Sequence, residues 1–415
     1  MSVSAVVIIG AGHAGYQTAA SLRQAGFDGS ITLVNGEPGL PYQRPPLSKA
    51  YLLGELDATR LSLRQENWYA TQDVHLLWDW AVGIDRGTRE VRLESGTVLR
   101  YSHLVLATGA RNRPLPVPGA DLAGVFGMRT RADADAVARR IGPGARAVVV
   151  GAGFIGLEFA AVAAALDASV HVVDVADRPM ARALSAPTSR FFRNAHEHWG
   201  VRFDFGRGLT RVIGEDGRVS GVVTTDGRTL PADLVVYGIG VVPNADLAES
   251  AGLLVADGIR VDEHLQTADP NISAVGDAVS FPCVHAAGAR TRLESVQNAV
   301  GHGRTVAARL TGHPSPYRAL PWFWSDQGDL KLQIAGLANG HDRTVELATP
   351  EARQQTVLCF RGDELVAVET VNRPGDHMVA RRIFADPPVL TPSEAAADGF
   401  ELKAWEQARR LSSAL

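Results

Sequence analysis

Two glycine triplets carry the first chemistry legible in this chain. Gly10, Gly12 and Gly15 stand in the run VVIIGAGHAG (residues 6–15), and Gly151, Gly153 and Gly156 stand in AVVVGAGFIG (residues 147–156). In such a triplet the first glycine permits a tight turn, the second lets backbone approach a pyrophosphate, and the third packs helix against strand. The helix that starts there turns free N–H groups and the positive end of its dipole toward the phosphates. His13 and Ala14 share the first loop, His13 as a spacer facing the pyrophosphate; Phe154 and Ile155 share the second. Asp174 closes the strand HVVD after the second triplet, where a carboxylate receives ribose hydroxyls and repels a 2′-phosphate. NADH is therefore favoured over NADPH, with Arg178 as the residue that would greet a 2′-phosphate and turn capping as the alternative role for Asp174. In the first copy the strand ends Val34-Asn35-Gly36-Glu37, which displaces the acid outward to Glu37 as the ribose candidate.

Elements must hold these loops. Each triplet follows a short β-branched run, the mark of a strand buried on both faces. Each precedes an Ala-rich helical stretch, Tyr16–Gln24 and Leu157–Leu166, and then a second strand, Ser30–Val34 and Ser169–Val173. The chain thus opens two βαβ dinucleotide-binding units, and two nucleotides on one chain suggest a flavin and a nicotinamide exchanging hydride. Leu104–Ala110 (LVLATGA) and Ile272–Ala278 (ISAVGDA) read as further buried strands, ending in Thr108-Gly109 and Gly276-Asp277. Later, Leu330–Leu337, Arg343–Leu347, Gln355–Phe360 and Glu364–Val371 read as strands and Asp376–Ile383 as a helix.

Composition narrows the classes. A chain of 415 residues is expected to form two or three domains. With 46% hydrophobic and 21% charged residues it is globular rather than disordered. Its net charge of −4 advertises neither nucleic acid nor an anionic membrane. Two cysteines, Cys283 and Cys359, cannot build a disulfide framework, a Cys-rich metal cluster or a close redox dithiol. The histidines are scattered without metal-ligand spacing, so no metal is expected. No apolar run approaches a membrane span of about 20 residues. Met1-Ser2-Val3-Ser4 leads straight into a strand, which reads as a cytoplasmic chain without a signal peptide.

The order of these motifs resembles the flavoprotein reductases with two dinucleotide-binding domains. The runs Arg44-Pro45-Pro46-Leu47-Ser48-Lys49 and Pro321-Trp322-Phe323-Trp324-Ser325-Asp326-Gln327 narrow the resemblance to NADH-dependent ferredoxin and rubredoxin reductases of bacterial oxygenase systems. It extends from Val6 to about Asp386. The fold it implies is α/β: two Rossmann-like domains of the glutathione-reductase kind plus a C-terminal α+β domain. The FAD domain would be discontinuous, 1–110 and 246–318, around an NAD domain at 111–245, with 319–415 as the C-terminal domain.

The resemblance also implies roles. NADH would pass hydride to FAD, and FAD single electrons to an acidic [2Fe–2S] ferredoxin in a transient complex; the ferredoxin supplies a monooxygenase or dioxygenase. Lys49 would stand beside the reactive edge of the flavin, kept charged by Glu158. The FAD set comprises the first glycine loop and Glu37, Arg44, Lys49, Val82, Thr108, Gly109, Arg129, Gly276, Asp277, Val296 and Trp324. Asp277 would orient the ribityl chain, and Val296, on a helix beginning near Glu294, would lie against the flavin pyrimidine. Gly240 joins the second glycine loop, Asp174 and Arg178 in the NAD set. Trp324 would lie between flavin and ferredoxin, or else simply pack. Arg290, Arg292, Arg304, Arg381 and Arg382 are the arginines that could form a basic docking patch.

Several rivals fall on the same residues. A disulfide reductase needs an early dithiol, yet no cysteine precedes Cys283. An NADH oxidase or peroxidase wants a reactive cysteine where RPPLSK stands. A flavin monooxygenase usually lacks the Trp-rich segment, yet it stays among the alternatives. Rubredoxin reductase and monodehydroascorbate reductase share the fold and remain alternatives. From another class, so does a redox-sensing interaction protein like the apoptosis-inducing flavoproteins.

Overall fold

The computed structural model describes residues 3–349, 351–385 and 390–413. Met1, Ser2, Asp386 (the end of the resemblance) and Leu415 (the expected last domain boundary) lie outside them. The chain divides into two compact units. One comprises residues 1–43, 58–111 and 241–321; the other comprises 44–57, 112–240 and 322–415.

The first unit is built on a five-stranded parallel sheet. Its order is Ile272–Ala274, His103–Leu106, Ala5–Ile9, Ser30–Asn35, Val74–Trp78. Ala5–Ile9 is central, pairing Ile8 with Leu33 on one side and with Val105 on the other. A strand in that place has both faces covered, which explains its unbroken β-branched sequence; Ile8 and Leu104 are completely buried. Each such side chain contributes roughly 1.5–3 kcal/mol of apolar burial. The helix His13–Gln24 follows the glycine loop directly, beginning three residues before the expected Tyr16.

The second unit repeats the plan. Its parallel sheet runs Arg202–Phe205, Ser169–Asp174, Arg146–Val150, Leu234–Tyr237, Val125–Gly127, with the glycine-loop strand again in the middle. The helix Phe154–Ala165 starts within the loop. It is apolar nearly all round, as suits a helix whose residues Gly156–Ala163 are all buried. A third, antiparallel sheet in this unit orders Trp322–Gln327, Leu330–Gly336, Glu364–Val371, Gln355–Arg361, Arg343–Glu346, and a helix spans Pro374–Ala385. Three of the expected strand ends there are a residue out, and Glu364–Val371 is as expected.

Two expected strands are shorter than read. LVLATGA splits in two: its first residues lie in the strand His103–Leu106, and Ala110 opens a separate strand, Ala110–Asn112, after Gly109 at φ +66°. ISAVGDA is a strand at Ile272–Ala274 and a 3-10 turn at Gly276–Ala278, with Gly276 at φ +79°. In both, the regular strand gives way before a glycine of positive φ. The helix expected near Glu294 begins at Val296 with Ser295 as its N-cap.

Candidate dinucleotide and hydride-transfer sites

Within each glycine loop the three positions divide the labour physically. Gly10 and Gly151 sit at φ of +101° and +100°, a region closed to side chains. A Cβ on Gly15 would stand 1.9 Å from the carbonyl oxygen of Gly10, and one on Gly156 2.1 Å from that of Gly151. Both helices therefore press directly onto the preceding turn. Gly12 is different: a Cβ there would meet nothing within 4 Å, and one on Gly153 only Gly238 O at 3.7 Å. Open space in front of the middle glycine is what a bound pyrophosphate requires. Neither helix has a side-chain cap or an acidic residue in its first turn, so no cap or carboxylate there competes with an anion for the positive end of the dipole. Both cradles fit the phosphates of a dinucleotide.

The rest of the first cradle comes from the same unit. Gly276 abuts the loop, a Cβ on it falling 2.9 Å from that of Ala14. Its N–H donates to His302 Nδ1 at 3.2 Å, which fixes the turn carrying Asp277. Thr108 and Gly109 are tied to Asn244: Thr108 Oγ1 donates to Asn244 O at 2.6 Å, and Asn244 N to Gly109 O at 2.9 Å. Glu37 accepts from the Tyr42 hydroxyl. Val82 lies half exposed on the strand Ala81–Asp85.

In the second cradle, Asp174 is tied to the glycine loop itself. Its carboxylate accepts from Ala152 N, inside the triplet, and from Ala176 N at 2.7 Å. Asp174 thus fills the turn-capping role. Arg178 donates to Ala181 O at 3.1 Å and Leu184 O at 3.2 Å, which commits it to bracing its own loop. The Phe154 ring packs 4.4 Å from Phe323, Ile155 is 40% exposed, and Gly240 sits at φ +100°.

The second unit also holds a buried ion pair. Lys49 Nζ lies 2.6 Å from Glu158 Oε2, with Glu158 in the second turn of the helix Phe154–Ala165 and Lys49 directly after the Pro45–Ser48 turn. Glu158 is 2% exposed. A carboxylate at that depth needs its partners, and it has three: Lys49, the Ser48 hydroxyl at 2.6 Å and the Ser325 hydroxyl at 2.7 Å. The two serines were missed as functional residues although both lie inside the quoted runs; no spacing announces that they converge. Arg44 donates to Arg129 O at 2.8 Å, which joins those two candidates. Trp322 and Trp324 share one face of their strand, with ring centroids 5.4 Å apart, and Arg381 lies over Trp322 at 4.9 Å.

Two of the five arginines of the expected basic patch are paired with acids. Arg292 pairs with Asp257 and Glu294, Arg382 pairs with Glu406, and Arg290 donates to the Val261 and Ser280 carbonyls. Among the described residues no group of three or more His, Cys, Asp or Glu side chains could hold a metal, and no helix is long and apolar enough to cross a membrane.

Residues 4–303 match the pyridine nucleotide-disulphide oxidoreductase family, and residues 322–405 match the reductase C-terminal family. A rhodocoxin reductase of Rhodococcus erythropolis is 49% identical over 399 residues, 96% of this chain and 93% of its own. Among solved structures, the ferredoxin reductase for the CYP199A2 system of Rhodopseudomonas palustris superposes with a TM-score of 0.94 at 48% identity, covering 97% of this chain and 100% of that one. A covalent putidaredoxin reductase–putidaredoxin complex gives 0.95 at 38% identity, covering 99% and 100%.

Proposed function

Because the chain belongs to the pyridine nucleotide-disulphide oxidoreductase family, and carries a reductase C-terminal domain as well, we propose that it is an NADH-dependent ferredoxin reductase working in the cytoplasm. Members of the family are FAD-dependent and use NAD(P)H. Bound FAD supplies the step from a two-electron hydride donor to a one-electron acceptor. The chain's residues do the rest. The first glycine cradle, with Thr108, Gly109, Gly276 and Asp277, holds FAD; the second, with Asp174, holds NADH. Asp174 presents negative charge where NADPH would bring a phosphate, and Arg178 is engaged elsewhere, which supports NADH. The acceptor is a [2Fe–2S] ferredoxin of an oxygenase system; the likeness to a ferredoxin reductase and to a reductase solved in complex with putidaredoxin supports this. The FAD domain (1–110 and 246–318), the NAD domain (111–245) and the C-terminal domain (319–415) carry these roles.

One observation carries the reading: Lys49 Nζ lies 2.6 Å from the buried Glu158 carboxylate, in a chain with no cysteine before Cys283 to form the early dithiol of a disulfide reductase. Lys49 would supply a fixed ammonium for negative charge on a bound flavin, and Glu158 holds that ammonium in place. Anaerobic stopped-flow mixing with NADH tests this. Lys49→Met should slow flavin bleaching by about 10²-fold while FAD content stays unchanged. Bleaching at the wild-type rate would remove Lys49 from the chemistry.

A further inference from the structure

Glu158 is one end of a longer chain of hydrogen bonds. Its Oε1 accepts the Ser325 hydroxyl at 2.7 Å; Ser325 Oγ accepts from Gln327 Nε2 at 3.2 Å; Gln327 Oε1 lies 2.8 Å from His196 Nε2. Ser325, Gln327 and His196 are all completely buried. They come from two places, the strand Trp322–Gln327 and the last turns of the helix Ala186–His198.

The direction of every bond in this chain follows from its end. A carboxylate paired with an ammonium accepts and cannot donate, so the Ser325 proton goes to Glu158. The lone pairs of Ser325 then face Gln327, which must turn its amide N–H inward and its carbonyl toward His196. His196 must therefore carry its proton on Nε2. The other ring nitrogen agrees: His196 Nδ1 is buried without a hydrogen-bond partner, and a proton there would be an orphaned donor costing about 1–3 kcal/mol. Burial also keeps the ring neutral, its pKa lowered to about 4, and an edge contact with Trp199 at 4.9 Å holds its plane.

We propose that Ser325, Gln327 and His196 are positioning residues for the Lys49–Glu158 pair, a relay of donors running one way from imidazole to carboxylate. The relay fixes Oε1, and with it the orientation that keeps Oε2 on Lys49. Without it the carboxylate turns and the ammonium loses its anchor. This rests on the role given to Lys49 and Glu158 in hydride transfer.

The test uses the FAD-loaded protein labelled with [15N]histidine, together with anaerobic stopped-flow reduction by NADH. Imidazole 15N shifts, assigned by loss of the signal in His196→Gln, should show His196 protonated at Nε2. In Glu158→Gln, whose carboxamide can donate to Ser325, the two tautomers should mix. Ser325→Ala, which loses a hydrogen bond to a charged group, and His196→Leu, which leaves the buried Gln327 carbonyl unpaired, should each slow flavin reduction about tenfold, with FAD content unchanged. His196→Gln, whose amide N–H reaches the same acceptor, should stay within about twofold of wild type by the same reasoning. A proton on Nδ1 overturns the proposal, as does wild-type speed in both Ser325→Ala and His196→Leu. If His196→Leu does not fold, the wild-type tautomer still decides. Lys49→Met separates the two failures: slow there but fast in the relay variants, the relay alone falls; fast in all, the role of the ion pair falls too.

Discussion

Gly153 and Gly156 are three residues apart and should fail in opposite ways when given a methyl group. Gly153 has φ −78° and room in front of it. Gly153→Ala should alter stability by about 1 kcal/mol or less yet raise KM for NADH by about tenfold or more, because the methyl occupies the pyrophosphate's place. Gly156→Ala drives a Cβ into the Gly151 carbonyl and should destabilise the fold by roughly 2–3 kcal/mol. Thermal melts beside NADH titrations check both; equal behaviour of the two variants would refute the division of roles. At this scale much was readable beforehand. The triplets have a physical signature at fixed spacing, and Lys49 and Glu158 sit in local runs that could be recognised. Ser48, Ser325, Gln327 and His196 could not be grouped. Ser325 meets Glu158 across 167 positions of sequence and His196 meets Gln327 across 131, and a contact closed by the fold leaves no period in the chain.

Among the elements, the strand Trp322–Gln327 is used on both faces. Alternation sets Trp322 and Trp324 on one side and Phe323, Ser325 and Gln327 on the other. The second set packs on Phe154, Glu158 and His196. An electron path through Trp324 predicts that Trp324→Ala lowers ferredoxin reduction about tenfold but ferricyanide reduction less than about twofold. Equal losses measured with the two acceptors would argue for packing alone. A second element depends on a distant acid. Ser185, the N-cap of the helix Ala186–His198, caps nothing with its own side chain; its N–H donates to Glu369 Oε1 at 2.8 Å and its hydroxyl to Oε2 at 2.6 Å. Glu369 is 1% exposed. Glu369→Gln replaces one of two acceptors with a donor and should cost about 1–3 kcal/mol, read as a lower urea midpoint. The strands themselves were legible from β-branched runs, whereas the breaks at Gly109 and Gly276 were not, since backbone sign is invisible in composition.

Over the whole molecule, buried histidines set the response to acid. His196 and His377 are lowered to about 4, and His103 and His302 to about 3, from an ordinary 6.5. Burial is the leading cause in each, aided by Arg381 at His377 and Arg309 at His103. Below pH 6.5 the unfolded chain takes up protons that the native one refuses. Stability should therefore be full above that pH and fall as pH drops toward 4, by up to about 1.4 kcal/mol per pH unit for each ring. Melting temperatures measured from pH 7.5 to 4.5 should decline across that window; a flat profile would mean the rings are solvated.

The two sulfhydryls have a practical corollary. Cys283 and Cys359 are both buried, and burial raises the pKa of each, so neither presents a thiolate to reagents in the native state. An alkylating dye should pass the folded protein by. A third cysteine engineered at an exposed position would then be a unique attachment point, ready to carry a fluorophore or spin probe without first stripping the chain of its own sulfur.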